Sequence, residues 1–449
     1  MRGLALLTAW LALAPPGVGL AAEFEDAPSE PCTVGLPPAQ CADDDFRIDE
    51  PVPSDGLMRH YLVVSRFGRF EAYGQAGVEA RLREVAALAR LQKTNDVSVV
   101  ADAVGDRVTG GAKTLAGVAT HPLDTVTGIP RGIAHLFQGY AAQARELGEQ
   151  AGSVNGPRAD GTAAGGTAGV VADARRYAAR YLGVSTSERS WYRRLGVDPY
   201  TDNELLRRAV HRYARVDATA KFGLKFAPLP GLPYAGEAQR ALDAIYGEDP
   251  AVLRARRRTT LAGYGLSPAE IRRFDNTLAL NPTRQERLVA AAAALAGVAG
   301  RGELFRHAMA LESDHEAEAF VRSAALLAEV HAREPLAAVL PGVRLPAART
   351  VAGQVVVAGA FDAVAWTEEV ERFEQATHAA VGDGPGNALW LRRAPSPRAA
   401  AELAARGWTV RVLEPGPAAA PRSATGGPAA GQPGRVAGRA RSSQPSSSA

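Results

Sequence analysis

Glu312, His315 and Glu316, in the stretch ALESDHEAEAF (residues 310–320), are of the types that ligate a divalent metal or exchange protons. Carboxylate oxygens with an imidazole nitrogen suit zinc, iron or manganese. Glu-x-x-His is also half of the motif that di-iron helical bundles use twice. No second Glu-x-x-His occurs in the chain, so a mononuclear site would draw ligands from other helices, with His211 and His307 as candidates. Read as one helix turning about 100° per residue, positions 302–331 place Phe305, Met309, Phe320, Leu327 and Val330 in one arc. Glu312 and Glu316 fall inside that arc, and His315 lies at its edge. Two carboxylates four residues apart repel, and burial makes both costlier, so a metal or neighbouring arginines must compensate them. Arg254, Arg256, Arg257 and Arg258, or Arg272 and Arg273, offer the guanidinium groups. Because the companion motif is missing, arginine pairing or simple exposure at the bundle edge is the expectation. No cofactor is then expected, and a divalent metal at Glu312, His315 and Glu316 is the alternative.

A second constellation lies in ALWLRRAPSPRAAAEL (388–403). A strand delivers Arg392 and Arg393 to a helix start at Ser396, Pro397 and Arg398. Free amides at a helix N-terminus, beside guanidinium groups at the carboxyl end of a strand, favour an anionic ligand. Arg392, Arg393, Ser396 and Arg398 are therefore the candidate anion site. Asp362, Trp366 and Thr367 follow the preceding strand at the same end. No glycine-rich phosphate loop accompanies them, and the competing picture is a capped surface helix with solvated arginines.

Other chemistries lack their residues. No Gly-x-Ser-x-Gly elbow, His-Glu-x-x-His, phosphate-binding Walker loop or Cys-His pattern of a thiol enzyme occurs. Asp198, Asp202, Asn203 and Glu204 depart from the spacing of a helix-loop-helix calcium site. They read better as corner chemistry, with Gly196 ending one helix and Asp202 capping the next.

The elements that position these residues are legible in outline. The chain opens with Arg2, an apolar run from Leu4 to Ala14, and Gly19-Leu20-Ala21 as a small-residue cleavage site, the pattern of an export signal over residues 1–21. That run is too short for a stable membrane anchor. Cys32 and Cys41, the only cysteines, are expected to form a disulfide within an extended segment over 22–55. Residues 56–150 read as a β-hairpin around Phe67-Gly68 followed by amphipathic helices. The first of these carries the stripe Val78, Leu82, Val85, Leu88 and Leu91. The small-residue helices of 96–150 are expected to pack closely on one another, with peripheral membrane contact as the alternative. A Gly/Ala-rich linker fills 151–180, a helical bundle 181–334, an α/β domain with parallel pairing 335–414, and a disordered tail 415–449. The fold class expected is multi-domain and mainly α: an N-terminal hairpin plus helices, a central bundle and a small C-terminal α/β domain.

The formal charge is +3, but without Arg2, Arg422, Arg435, Arg439 and Arg441 it falls to −2 for residues 22–414. No body-wide basic field exists to recruit nucleic acid.

The stretches LGVDPYTDN (195–203), AWTEEVERF (365–373) and SPRAAAELAARGW (396–408) resemble a group of uncharacterised exported bacterial proteins, over about residues 59–414. The resemblance implies a shared multi-domain fold and carries no functional residue with it. The sequence thus leads to an exported protein, periplasmic or secreted. It is expected to be a non-catalytic binding or interaction protein of the cell envelope, partnered by another envelope protein or a small anion. A metal-dependent hydrolase or oxidase is the competing class.

Overall fold

A computed structural model describes residues 24–94, 175–217 and 236–414, apart from 179, 182, 383 and 385. The expected signal, the helices of 96–150, most of the linker and the tail lie outside the described residues.

The N-terminal region is built on short antiparallel strands. β1 (Ser29–Glu30) pairs with β3 (Val52–Pro53), and β2 (Phe46–Ile48), β4 (His60–Ser65) and β5 (Gly68–Tyr73) form a sheet in the order β2-β4-β5. The β4-β5 hairpin closes through Arg66-Phe67, with Ser65 opposite Gly68, as the alternation of the two runs predicts. Between β1 and β2, the short helix α1 (Cys32–Gly35) is tied by the Cys32–Cys41 disulfide, the pairing expected from the sequence. Gly74, at φ +66°, turns the hairpin straight into α2 (Gly74–Thr94). The α2 stripe of Val78, Leu82, Val85, Leu88 and Leu91 is at most 1% exposed, and its core includes Tyr61 and Val63 of the sheet. The same core takes in Trp191 and Leu195 of α3 (Thr186–Leu195) and Leu206 and Val210 of α4 (Glu204–Asp217).

Six further helices follow: α5 (Gly236–Gly247), α6 (Pro250–Gly263), α7 (Pro268–Asp275), α8 (Pro282–Ala294), α9 (Gly302–Ala308) and α10 (Asp314–His331). Their starts carry the expected chemistry in two places. Asp249 accepts the Ala251 amide at 2.7 Å, and Ser267 and Glu270 cap α7 reciprocally. At α8 the cap is Asn281, Pro282 fills the first helical position, and Glu286 turns to Arg257.

The last five strands form one sheet in the order β10-β9-β8-β7-β6. β8 (Val355–Gly359), β9 (Ala388–Leu391) and β10 (Thr409–Val412) are parallel, connected through α11 (Glu368–Val381) and α12 (Pro397–Ala405). β7 (Ala347–Thr350) and β6 (Leu336–Val339) add antiparallel at one edge.

Helices outweigh strands, but the fold class requires correction. The C-terminal part is not a small, self-contained α/β domain, and the bundle is not separate from it. Alternation along β8 sends Val355 and Val357 toward α11 and α12, and Val356 and Ala358 toward the opposite face. That second apolar face needs a cover, since parallel strands are buried on both sides. α10 of the bundle supplies it, so Phe320 and Leu327 share one core with Val356, Ala358 and Trp390. The N-terminal hairpin likewise shares its core with α3 and α4 from beyond the linker.

Candidate functional site

The stretch that carries Glu312, His315 and Glu316 is not one helix. α9 ends at Ala308 and α10 starts at Asp314, leaving Glu312 exposed in the connection. Glu316 closes a reciprocal cap: its Oε2 accepts the Glu312 amide at 2.8 Å, while Ser313 Oγ accepts the Glu316 amide at 3.2 Å. His315 packs its ring on Tyr73 at 3.5 Å between centroids, and Tyr73 also meets His60, whose Nε2 pairs with Asp55 at 2.9 Å. Among the described residues, no group of three or more His, Cys, Asp or Glu side chains is placed to hold a metal ion. The signal that explains Glu316 was present as Ser313-x-x-Glu316, a capping pattern overlaid on the Glu-x-x-His spacing.

Three of the arginines expected to answer these glutamates are engaged elsewhere. Arg257 binds Asp275 at 3.0 Å and Glu286 at 2.7 Å, Arg258 binds Asp275 at 2.6 Å, and Arg256 binds Glu248 at 2.8 Å. On α10 the carboxylate that draws arginines is Glu318, partly buried and two residues on from Glu316. Burial pushes it up, but Arg287 at 2.8 Å and Arg284 at 3.3 Å outweigh that and hold it at about 2.

The four residues of the anion expectation are spread over different partners. Arg392 forms a two-pronged pair with Glu329 at 2.8 and 2.5 Å, and Arg398 pairs with Glu402 at 3.2 Å. Ser396 caps α12 through the Ala399 amide at 2.9 Å and donates its hydroxyl to Glu25 at 2.5 Å. The same Glu25 oxygen accepts the Trp366 amide at 2.5 Å, and the Glu25 amide returns a bond to the Trp366 carbonyl at 2.8 Å. A carboxylate of the chain itself thus stands where an external anion is expected. Arg393 alone of the four turns to the far side, donating to the Gly35 carbonyl at 3.2 Å and Gln75 Oε1 at 3.3 Å.

Arg393 leads to a polar junction at the carboxyl end of β8. Asp362, 6% exposed, accepts the Arg59 amide at 3.0 Å and the Gln75 amide, in the first turn of α2, at 3.0 Å. The Arg59 side chain donates to the Asp362 carbonyl at 2.5 Å and to Glu30 at 2.7 Å. Arg322 reaches the same place from α10: a side chain placed on Gly74 would start 3.9 Å from Arg322 Nη1 and 3.7 Å from Asp362 Oδ2. Burial pushes the Asp362 carboxyl up, against the Arg59 amide and the Arg322 charge, and burial also pulls the Arg322 guanidinium down. Tyr61, 2% exposed, is pushed up by burial, with the Asp362 charge adding to it. Sequence reasoning found Asp362 and Arg393 but missed Arg59, Tyr61, Gln75 and Arg322. Their meeting joins positions 303 and 318 residues apart, and no local pattern encodes it.

Fold and site together define a mixed α/β sheet with helices on both faces, its carboxyl edge closed by an N-terminal disulfide-bonded segment. No family model, curated protein or solved structure matches the chain.

Proposed function

We propose that the chain is an exported, non-catalytic binding protein of the cell envelope, and that it takes a small polar ligand rather than a large apolar partner. The observation that carries this reading is Glu25. Open α/β sheets place ligands and chemistry in the crevice beyond the carboxyl ends of their strands. Here Glu25 fills the helix-start position from within, bonded to Ser396 and Trp366, so anion recognition at that point serves the fold. The Cys32–Cys41 disulfide supports an oxidising compartment. Among the described residues no helix is long and apolar enough to cross a membrane. Among the described residues the exposed large apolar side chains, Phe24, Val34, Val252, Val351 and Val412, are scattered along the chain, which supports a small ligand over an apolar partner there.

The test is elemental analysis of protein purified without chelator, with mass spectrometry of the mature chain. The expected result is no stoichiometric transition metal and a mature N-terminus at Ala22. A stoichiometric metal that is lost in Glu312→Ala would replace this reading with that of a metal-dependent enzyme.

A further inference from the structure

Resting on the reading as a binding protein, we infer that the junction at the carboxyl end of β8 is a binding site for a small carboxylate, held by Arg322, Arg393 and the Tyr61 hydroxyl. Arg322 has no hydrogen bond and no ion pair among the described residues, and its Nη1 is fully buried. The reason is geometric. Glu318, four residues back on α10 and correctly spaced to pair with it, is already taken by Arg287 and Arg284. Both oxygens of Asp362 are taken by backbone amides of Arg59 and Gln75. Glu318 and Asp362 act on Arg322 through their charge alone. A buried guanidinium nitrogen without a hydrogen-bonded partner is costly, and an anion bonded to it lowers that cost.

The Tyr61 hydroxyl is a second, independent pointer. It is buried, has no partner among the described residues, and faces Gly35, where any added side chain would collide with it. The Gly35 carbonyl is the acceptor for Arg393, and Gln75, the other acceptor for Arg393, follows directly on the Gly74 backbone beside Arg322. Gly35 and Gly74 thus link the three donors through one small neighbourhood. Taken as whole residues, Arg322 and Arg393 are each only partly buried.

The chemistry selects the ligand class. A planar guanidinium presents paired N–H groups that match the two oxygens of a carboxylate, and a phenol hydroxyl completes its set of donors.

The experiment is thermal unfolding and titration calorimetry of the full-length mature protein with sodium acetate, against sodium chloride of equal ionic strength and against inorganic phosphate. Acetate is expected to raise the midpoint in a saturable way. Arg322→Met is expected to abolish the response, and Tyr61→Phe, which keeps the ring and the charges, to weaken acetate affinity about 10-fold. No saturable response in the parent protein overturns the site. A response that survives unchanged in both variants identifies a general salt effect and also overturns it. A response to phosphate alone overturns the carboxylate assignment. A stoichiometric metal would instead overturn the non-catalytic reading while leaving an acetate response intact, so the two failures are distinguishable.

Discussion

Arg257 and Arg322 are both arginines of helices in the middle of the chain, and both put guanidinium nitrogens out of reach of water. Arg257, on α6, is closed on two sides by Asp275 and Glu286, which are buried with it. Arg322, on α10, faces carboxylates that are already committed to Arg287, Arg284 and two backbone amides. The first arrangement leaves nothing for a ligand to gain; the second leaves a charge whose cost a ligand can lower. Charge type and spacing along the helix are therefore poor guides to a binding site, and prior engagement of the surrounding acceptors is the better one.

The sharpest way to break this comparison is to remove each guanidinium in turn. Arg257→Met takes the buried partner from Asp275 and Glu286, leaving them only the half-exposed Arg258 and Arg256, and is expected to cost about 3 kcal/mol in chemical denaturation. Arg322→Met breaks no hydrogen bond or ion pair among the described residues and removes only the through-space charge that acts on Glu318 and Asp362. Measured without added anion, it is expected to be neutral within about 1 kcal/mol or to stabilise the protein. Equal losses in the two variants would mean that Arg322 has a structural partner and that the contrast is false.

Acid sharpens the same contrast. The Glu318 carboxyl is held at about 2, below its ordinary 4.5. Its contribution to stability is fully present above about pH 4.5 and is lost as the pH falls toward 2, on the order of 2 kcal/mol. Asp362 acts with the opposite sign. Its folded value is raised, so protonation through that value favours the folded state and partly offsets the loss. Denaturation midpoints measured from pH 6 down to about 2.5 should therefore fall, and Glu318→Gln should flatten the profile. A parent profile as flat as that of the variant would remove the paired network from the account.

What the sequence made legible was local. The hairpin, the α2 stripe, the left-handed stop at Gly196 with φ +69° and the caps at Ser267, Thr367 and Ser396 all depend on residues within a few positions of one another. β6 and β7 were missed because four-residue, alanine-containing runs carry no periodicity to read. The LGVDPYTDN corner shows how a local reading turns on long-range contacts. Asn203, not Asp202, caps α4, and Asp202 binds Arg81 of α2 at 2.6 Å. Thr201 and Asn203 then hold the buried Glu84 of α2 at 2.5 and 3.1 Å, which makes the corner a docking surface for the N-terminal region. The junction around Asp362 was hidden for the same reason: Arg59, Gln75 and Arg322 each look ordinary where they stand.

The smallest expected effects separate the two roles that ALESDHEAEAF can play. If Ser313 and Glu316 form a cap, Ser313→Ala removes the acceptor for the Glu316 amide and should cost about 1 kcal/mol. Glu312 contributes only its backbone amide to that cap, so Glu312→Ala should change stability by less than about 0.5 kcal/mol. A metal site built on the same stretch predicts the reverse order. Loss of a ligating carboxylate would then be the damaging change and loss of the serine hydroxyl the tolerated one, and chelator would reduce the stability of the parent protein to that of Glu312→Ala. Denaturation midpoints for the two variants, with and without chelator, decide between the cap and the metal from the order of the losses alone.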